Sequence, residues 1–304
     1  MVNIRNLQKS YGDFRVLDGL NMELPKGEVY GFLGKNGCGK TTTMNILCNI
    51  IPKDGGDVLL DGGEGGDVRI GYLPETPSLF SFMNGYEYLR YIAACCKYEG
   101  NIDTRVDEVL EITGMREGAK RRIKGYSRGM NQRLGIAAVM FNHPRLLVLD
   151  EPTSALDPEG RADVMSIIRQ LSQMGCTIIL CTHILSDVEK VAGSIGIMSG
   201  GRMAVEGKIA DIMQRHARNE IELRLYETNE QGVNTVRSLE QLPMIDKVDF
   251  YDKTGVFVLR TTDTQSASRE LVNILAKNDI IPYEIMTVTE NLEQIYLKVV
   301  GGNV

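Results

Sequence analysis

Gly34-Lys35-Asn36-Gly37-Cys38-Gly39-Lys40-Thr41 is the stretch of this 304-residue chain on which the fold turns. Residues 28–33 before it form a short apolar run suited to a buried strand, and the pattern from 40 to about 50 is helical. A glycine-rich turn between strand and helix, closed by Lys and Thr, fits the phosphate-binding P-loop. The glycines let backbone N–H groups turn inward around a phosphate chain, and the helix start adds its positive dipole end. Gly34, Asn36, Gly37, Cys38, Gly39, Lys40, Thr41 and Thr42 are therefore candidate contacts to the phosphates of a nucleotide. Lys40 is expected to bridge β- and γ-phosphate oxygens, and the Thr41 hydroxyl to ligate Mg²⁺. An ordinary glycine turn is the alternative, and the flanking strand and helix argue against it.

A second segment supplies the acids. Leu146-Leu147-Val148-Leu149 is continuously apolar, as in a strand buried on both faces, and it ends in Asp150-Glu151. Neighbouring side chains on a strand point in opposite directions. Asp150 can then complete the Mg²⁺ shell while Glu151 takes a proton from water. Alone, the pair would read equally well as a solvated acidic turn.

Around these anchors the pattern is mixed. Short strands are expected at 2–7, 14–24, 57–61 and 69–73, then helix from 84 to about 141. Strands and helices next alternate at 146–150, 158–174, 177–181, 184–192 and 194–198, which implies a parallel sheet covered by helices. A flexible turn is expected over 62–66 and a boundary near 211–219. Beyond it the order is strand 220–227, helix 234–241, strand 245–251, strand 255–261, helix 264–277, strand 281–288 and helix 291–299. That βαββαβ order suggests a ferredoxin-like sandwich. The predicted domains are 1–215, with a helical part at about 77–141, and an accessory α+β domain at 220–304.

Apolar residues make up 43% and charged residues 24%, as in a soluble globular protein. Net charge is −6. Residues 220–304 hold 14 acids against 8 bases, whereas 1–219 balance at 26 of each. The basic excess of a general nucleic-acid binder is missing. No apolar run approaches the roughly 18 residues of a bilayer span, and the first residues show no signal-peptide core. The chain is expected in the cytoplasm. Cysteines at 38, 48, 95, 96, 176 and 181 form no C-x-x-C pair, so neither zinc site nor disulfide framework is expected.

Tyr126-Ser127-Arg128-Gly129-Met130-Asn131-Gln132-Arg133 resembles the signature of the ABC family, usually written L-S-G-G-Q. Further matches follow in family order: Walker B at 146–152, the D-loop Ser154-Ala155-Leu156-Asp157, and His183 after a strand as the switch histidine. Tyr11 stands where that family places an adenine-stacking aromatic. To about residue 215 the chain looks like an ABC-type ATP-binding subunit. The resemblance implies an α/β P-loop core with an N-terminal antiparallel β-subdomain and an inserted helical subdomain. It also implies a nucleotide-sandwich dimer, with itself or with a paralogous subunit. Each ATP would lie between one P-loop and the other subunit's Ser127, Gly129 and Gln132. Ser127 is a good N-cap for the helix that follows, and His183 would reach the γ-phosphate and attacking water.

Some residues depart from the family pattern. Glu75 stands where the Q-loop glutamine is usual; it can still reach Mg²⁺ or its water but adds negative charge. Arg128 and Met130 replace commoner small and polar residues, Asn131 precedes Gln132, and the connector at 62–69 is short. Cys38 reads as a tolerated small side chain, although a helix N-terminus can lower a thiol pKa. The function implied is the energising subunit of a membrane transporter, on the inner face of the membrane and partnered by an integral-membrane permease. The C-terminal piece, ending Asn291-Leu292-Glu293-Gln294-Ile295-Tyr296-Leu297, resembles the extra domain of efflux subunits and favours export. A soluble ABC ATPase is the alternative. A plain P-loop kinase or GTPase fits neither the signature nor the switch histidine.

Overall fold

The computed structural model describes residues 1–61, 63–64, 68–215, 219–288 and 291–301. Of the expected turn over 62–66 only Gly63 and Glu64 are described, and 216–218 of the polar stretch also lie outside the described residues. The chain divides into two compact units, Met1–Ala210 with Tyr296–Val304, and Asp211–Ile295.

The first unit begins with strands β1 (Val2–Tyr11), β2 (Phe14–Leu24) and β3 (Val29–Gly34), then helix α1 (Lys40–Leu47). Strands β4 (Gly55–Leu60), β5 (Gly63–Glu64) and β6 (Ile70–Leu73) precede helices α2 (Gly85–Cys95), α3 (Ile102–Ile112) and α4 (Arg128–Val139). Then come β7 (Leu146–Asp150), α5 (Pro158–Gln173), β8 (Thr177–Cys181), α6 (Leu185–Val191), β9 (Ser194–Ser199) and β10 (Arg202–Lys208), and α7 (Ile209–Arg215) carries the chain on into the second unit. An antiparallel sheet of order β2-β1-β4-β5 stands beside a six-stranded sheet of order β10-β9-β3-β8-β7-β6. In the second sheet every pairing is parallel except that of β10 with β9. Every residue of β3, β7 and β8 is buried, which explains why they read as unbroken apolar runs rather than alternating ones. Phe32 and Asp150 both pair with Cys181, so β3, β8 and β7 end abreast.

The expected helical stretch from 84 to 141 is broken into three helices, each begun by its own cap. Asn84 and Glu87 form a reciprocal capping box on α2, Asn101 caps α3, and Ser127 caps α4. Arg105 of α3 is buried and donates to the carbonyls of Met140 (2.7 Å) and Phe141 (2.8 Å). It thereby satisfies acceptors left over at the end of α4, and Glu108 at 2.8 Å partners its charge.

β10 and α7 have no counterpart in the sequence reading. β10 is a half-buried edge strand entered through Gly200 and Gly201, both at positive φ, a hairpin signal the composition carries openly. Its Glu206 accepts from the Tyr30 hydroxyl (2.6 Å) and the Glu23 N–H (2.8 Å), joining the two sheets.

The second unit contains β11 (Glu220–Leu225), α8 (Glu230–Arg237), β12 (Ile245–Tyr251), β13 (Val256–Thr261), α9 (Thr264–Lys277) and β14 (Pro282–Val288). Its sheet order is β12-β13-β11-β14, all antiparallel. Ile221, Leu223, Val236, Phe257, Leu259 and Leu271 form its core, with Phe250 and Phe257 stacked at 4.4 Å. α8 starts four residues earlier than the apolar pattern indicates, because the Asn229 side chain caps it through the Gly232 N–H at 2.7 Å.

The division also departs from the expected 220–304 accessory domain. The first unit ends at Ala210, and the chain rejoins it at Tyr296, within the last helix, α10 (Leu292–Gly301). The physical reason is a set of contacts with the glycine-rich loop. The Lys35 ammonium donates to the Val300 carbonyl at 3.0 Å. Burial pushes the Tyr296 phenol up, and the charges of Cys38 and Glu151 add to that.

Gly71 on β6 has no room for a side chain, since a methyl there would run into the Val139 carbonyl and the Leu147 side chain. Gly71→Ala should therefore lower stability by about 1–3 kcal/mol, despite the usual gain from replacing glycine in a strand. Gly125→Ala, where a methyl meets nothing within 4 Å among the described residues, should be near neutral. Urea midpoints of the two variants check this.

Candidate functional site

The loop after β3 turns on Gly37 (φ 79°) and Gly39 (φ 110°), a left-handed backbone that side chains disfavour. At Gly39 a Cβ would also press on Leu17 and Met198 at 2.8 Å. Gly39 caps α1 without a side-chain hydrogen bond, and the first turn of α1 holds no acid. Its leading N–H groups and dipole therefore remain available to an anion. Lys40 is buried, and its Nζ donates to the carbonyls of Gly34 (2.6 Å) and Lys35 (3.2 Å). With three N–H groups, the ammonium is held across the loop with one donor to spare.

Opposite the loop, the Thr41 hydroxyl donates to Asp150 Oδ2 at 3.3 Å. Asp150 is only 6% exposed. Burial pushes its carboxyl above the usual carboxylate range, the Thr41 hydrogen bond opposes this, and Glu151 adds to it. Lys40 and Glu75 make the smaller opposing and reinforcing contributions. Glu151 is not on the strand. β7 ends at Asp150, and Glu151 has φ 47° with its N–H bonded to the Cys181 carbonyl at 2.8 Å. The backbone turns left-handed after Asp150, so Glu151 does not continue the alternation of the strand.

A cavity of about 390 Å³ lies between these groups. It is lined by Asn36, Gly37, Gly39, Lys40, Thr41 and Thr42 from the loop, Val16 from β2, and Glu75, Asp150 and Glu151 across from them. Behind it, His183 Nδ1 lies 2.9 Å from Glu151 Oε2, and the Thr182 hydroxyl donates to the same oxygen at 3.3 Å. Where Glu151 accepts this bond, Nδ1 is the donor, on a side chain that is 57% exposed.

Four expected residues stand apart from this cluster. Tyr11, 52% exposed at the end of β1, does not line the cavity, and its ring lies 5.6 Å from the Lys9 ammonium. Ser127 caps α4 through the Met130 N–H at 3.2 Å, and Gly129 would place a Cβ 3.9 Å from Gly160. Gln132 is 4% exposed, and its Nε2 has no hydrogen-bond partner among the described residues. Sequence reasoning missed Val16 and Thr182. Thr182 carried a signal, being a hydroxyl beside a histidine at the end of a buried strand; Val16 carried none.

This geometry joins a phosphate-type loop, a buried aspartate and a glutamate–histidine pair at the ends of parallel strands. Residues 17–154 match the family described as ABC transporter. The bacitracin transport ATP-binding protein BcrA of Enterococcus faecalis is 33% identical over 99% of this chain and 97% of its own length. This chain belongs to the ABC transporter ATP-binding family. The linearmycin resistance ATP-binding protein LnrL of Bacillus subtilis is 28% identical over 99% of this chain and 98% of its own. A dimeric ATP-binding cassette solved in a post-hydrolysis state with ADP and Pi superposes with a TM-score of 0.62 at 25% identity. It covers 69% of this chain and 99% of that one. The ABC subunit described here is thus an ATP-binding ATPase with the P-loop ABC fold. Among its described residues, no helix is long and apolar enough to cross a membrane.

Cys38 tests the electrostatics of the loop in this ATP-binding subunit. Burial pushes its thiol up by more than the neighbouring Lys40 pulls it down, in line with the reading of a tolerated small side chain rather than an activated one. The thiolate is the nucleophile. Iodoacetamide at pH 7.5 should therefore label Cys38 more slowly than exposed Cys95, as read by peptide mapping over time.

Proposed function

We propose that this subunit hydrolyses Mg-ATP as one half of a nucleotide-sandwich dimer that drives an exporter through a membrane permease. The observation that carries the reading is the Glu151–His183 pair, held 2.9 Å apart, whose Glu151 lines the same cavity as Lys40.

In this reading the β- and γ-phosphates lie on the N–H groups of Gly37–Thr41 and on the Lys40 ammonium. The Glu151 carboxylate accepts the proton of an attacking water, and His183, oriented through Nδ1, presents Nε2 toward the γ-phosphate. Asp150, Thr41 and Glu75 fit Mg²⁺, which takes one or two carboxylates and otherwise phosphate and water oxygens. Such an ion neutralises charge developing on the transferred phosphoryl group. Tyr11 would stack on the base. Ser127, Gly129 and Gln132 would serve the partner subunit's nucleotide, which fits their separation from this chain's own cavity.

Support for a permease comes from the helical layer. Phe80, Phe82 and Tyr91 are exposed together, Phe80 stacking on Phe82 at 5.7 Å and meeting Tyr91 edge-on at 5.2 Å. Such an aromatic patch suits burial against another protein. Support for export comes from the relative named for linearmycin resistance, since resistance is served by moving a toxic compound outward. Reconstituting the subunit with the permease that co-purifies from membranes tests both points. Cargo should move away from the side on which ATP is supplied, and movement toward it would refute export.

Lys40→Ala should lower ATP hydrolysis by about 10²–10³-fold, the loss usual for a fixed charge on a reacting oxyanion. Glu151→Gln should stall hydrolysis and trap an ATP-bound dimer on size exclusion, because the amide fits but accepts no proton. Mixing Lys40→Ala with Ser127→Arg subunits should restore some hydrolysis, since both lesions then fall in one composite site. If hydrolysis stays absent while mixed dimers form, in a background known to tolerate one dead site, Ser127 acts within its own subunit.

A further inference from the structure

Asp187 belongs to none of the motifs above, yet it is the most enclosed carboxylate near the site, with a side chain 1% exposed. It lies in the first turn of α6, four residues after His183. Its Oδ2 accepts from the Thr153 hydroxyl at 2.8 Å. Both its oxygens accept from Arg161 Nε, at 2.8 and 3.0 Å, and Arg161 also donates to the Ser186 hydroxyl at 2.9 Å. A buried carboxylate is tolerated only when its charge and lone pairs are answered, and here two separate segments answer them. Thr153, itself buried, lies two residues after Glu151. Arg161 lies in the first turn of α5, its N–H bonded to the Asp157 carbonyl at 2.9 Å, where the chain leaves the 154–157 loop.

These bonds close a ring. At the front, Thr182 and His183 are bound to Glu151. At the back, Asp187 is bound to Thr153. Between the two points, the Ile184 N–H donates to the Thr182 hydroxyl (3.0 Å) and the Asp187 N–H to the Ile184 carbonyl (3.1 Å). One attachment would leave the histidine segment free to pivot against the glutamate, whereas two fix its orientation.

We propose that Asp187 is a positioning residue for hydrolysis. It holds His183 in register with Glu151 and, through Arg161, ties both to the exit of the 154–157 loop. This rests on the reading of Glu151 and His183 as the hydrolytic pair. Asp187 is not among the residues lining the cavity. Its loss misplaces the pair without changing the phosphate cradle, and displacements near 1 Å can cost about 10²-fold in rate.

The test uses the full chain with Asp187→Asn and, as a shape-matched second variant, Thr153→Val. For Asp187→Asn we expect kcat to fall about 10–100-fold, with KM for ATP and nucleotide affinity within twofold of wild type. For Thr153→Val we expect a smaller fall in kcat of the same kind. The second readout is NMR of ¹⁵N-labelled histidine, of which the chain has three. In either variant the His183 Nδ1 signal should move toward its position in Glu151→Gln, while those of His143 and His216 stay in place. Unchanged kcat with an unmoved His183 signal overturns the proposal. So does a rise in KM that matches the loss of kcat/KM, the mark of a general structural role. If Asp187→Asn fails to fold, Thr153→Val decides by the same criteria. A His183→Ala variant with wild-type hydrolysis would sink the reading of the pair itself, and the histidine signals would then judge the positioning alone.

Discussion

Everything at the site depends on the register of three buried parallel strands. Phe32 of β3 and Asp150 of β7 pair with the same residue, Cys181 of β8. The P-loop, the acid pair and the Thr182–His183 segment therefore leave the sheet side by side. Ligands of open α/β sheets lie beyond the carboxyl ends of the strands, and this register makes that edge a continuous row of chemistry. A slip of one residue in β8 would turn its side chains to the other face and carry His183 away from Glu151. The register is secure because every residue of the three strands is buried, so any slip would misplace close-packed side chains.

The same burial sets the electrostatics. Three carboxylates, Glu75, Asp150 and Glu151, share the cavity with the Lys40 ammonium. Burial first of all pushes the Asp150 carboxyl upward, and the charges of Glu151 and Glu75, poorly screened in a medium less polarisable than water, add to it. An arriving cation would relieve that repulsion, and a triphosphate would meet the loop N–H groups and Lys40. The cavity thus favours a cation and a polyanion together over either alone. Glutamate in place of the usual Q-loop amide at position 75 strengthens that preference.

What the sequence made legible follows from how local each feature is. The loop after β3, the apolar runs of β7 and β8 and the Ser127 cap are spelled out by adjacent residues. The left-handed turn at Glu151 is not, because glutamate carries no preference for positive φ; only the Cys181 carbonyl that receives its N–H explains it. β10 escaped notice because a half-buried edge strand leaves a weak alternation, although Gly200-Gly201 marked its hairpin. Asp187 could not be read at all, since Thr153 and Arg161 lie 34 and 26 residues away along the chain. Tyr11 was placed by resemblance, and it is not among the residues that line the cavity.

The path of the chain through its two units has a consequence for how the protein can be taken apart. The first unit runs to Ala210 and resumes at Tyr296. In connectivity, then, the second unit is a parenthesis within the first rather than an appendage to it. No single cut can remove it cleanly, because any stop codon placed before it also deletes the segment whose Val300 carbonyl accepts the Lys35 ammonium. Excision requires two cuts and a linker between 210 and 296, and it is this internally deleted chain, not a truncated one, that isolates the ATP-binding unit.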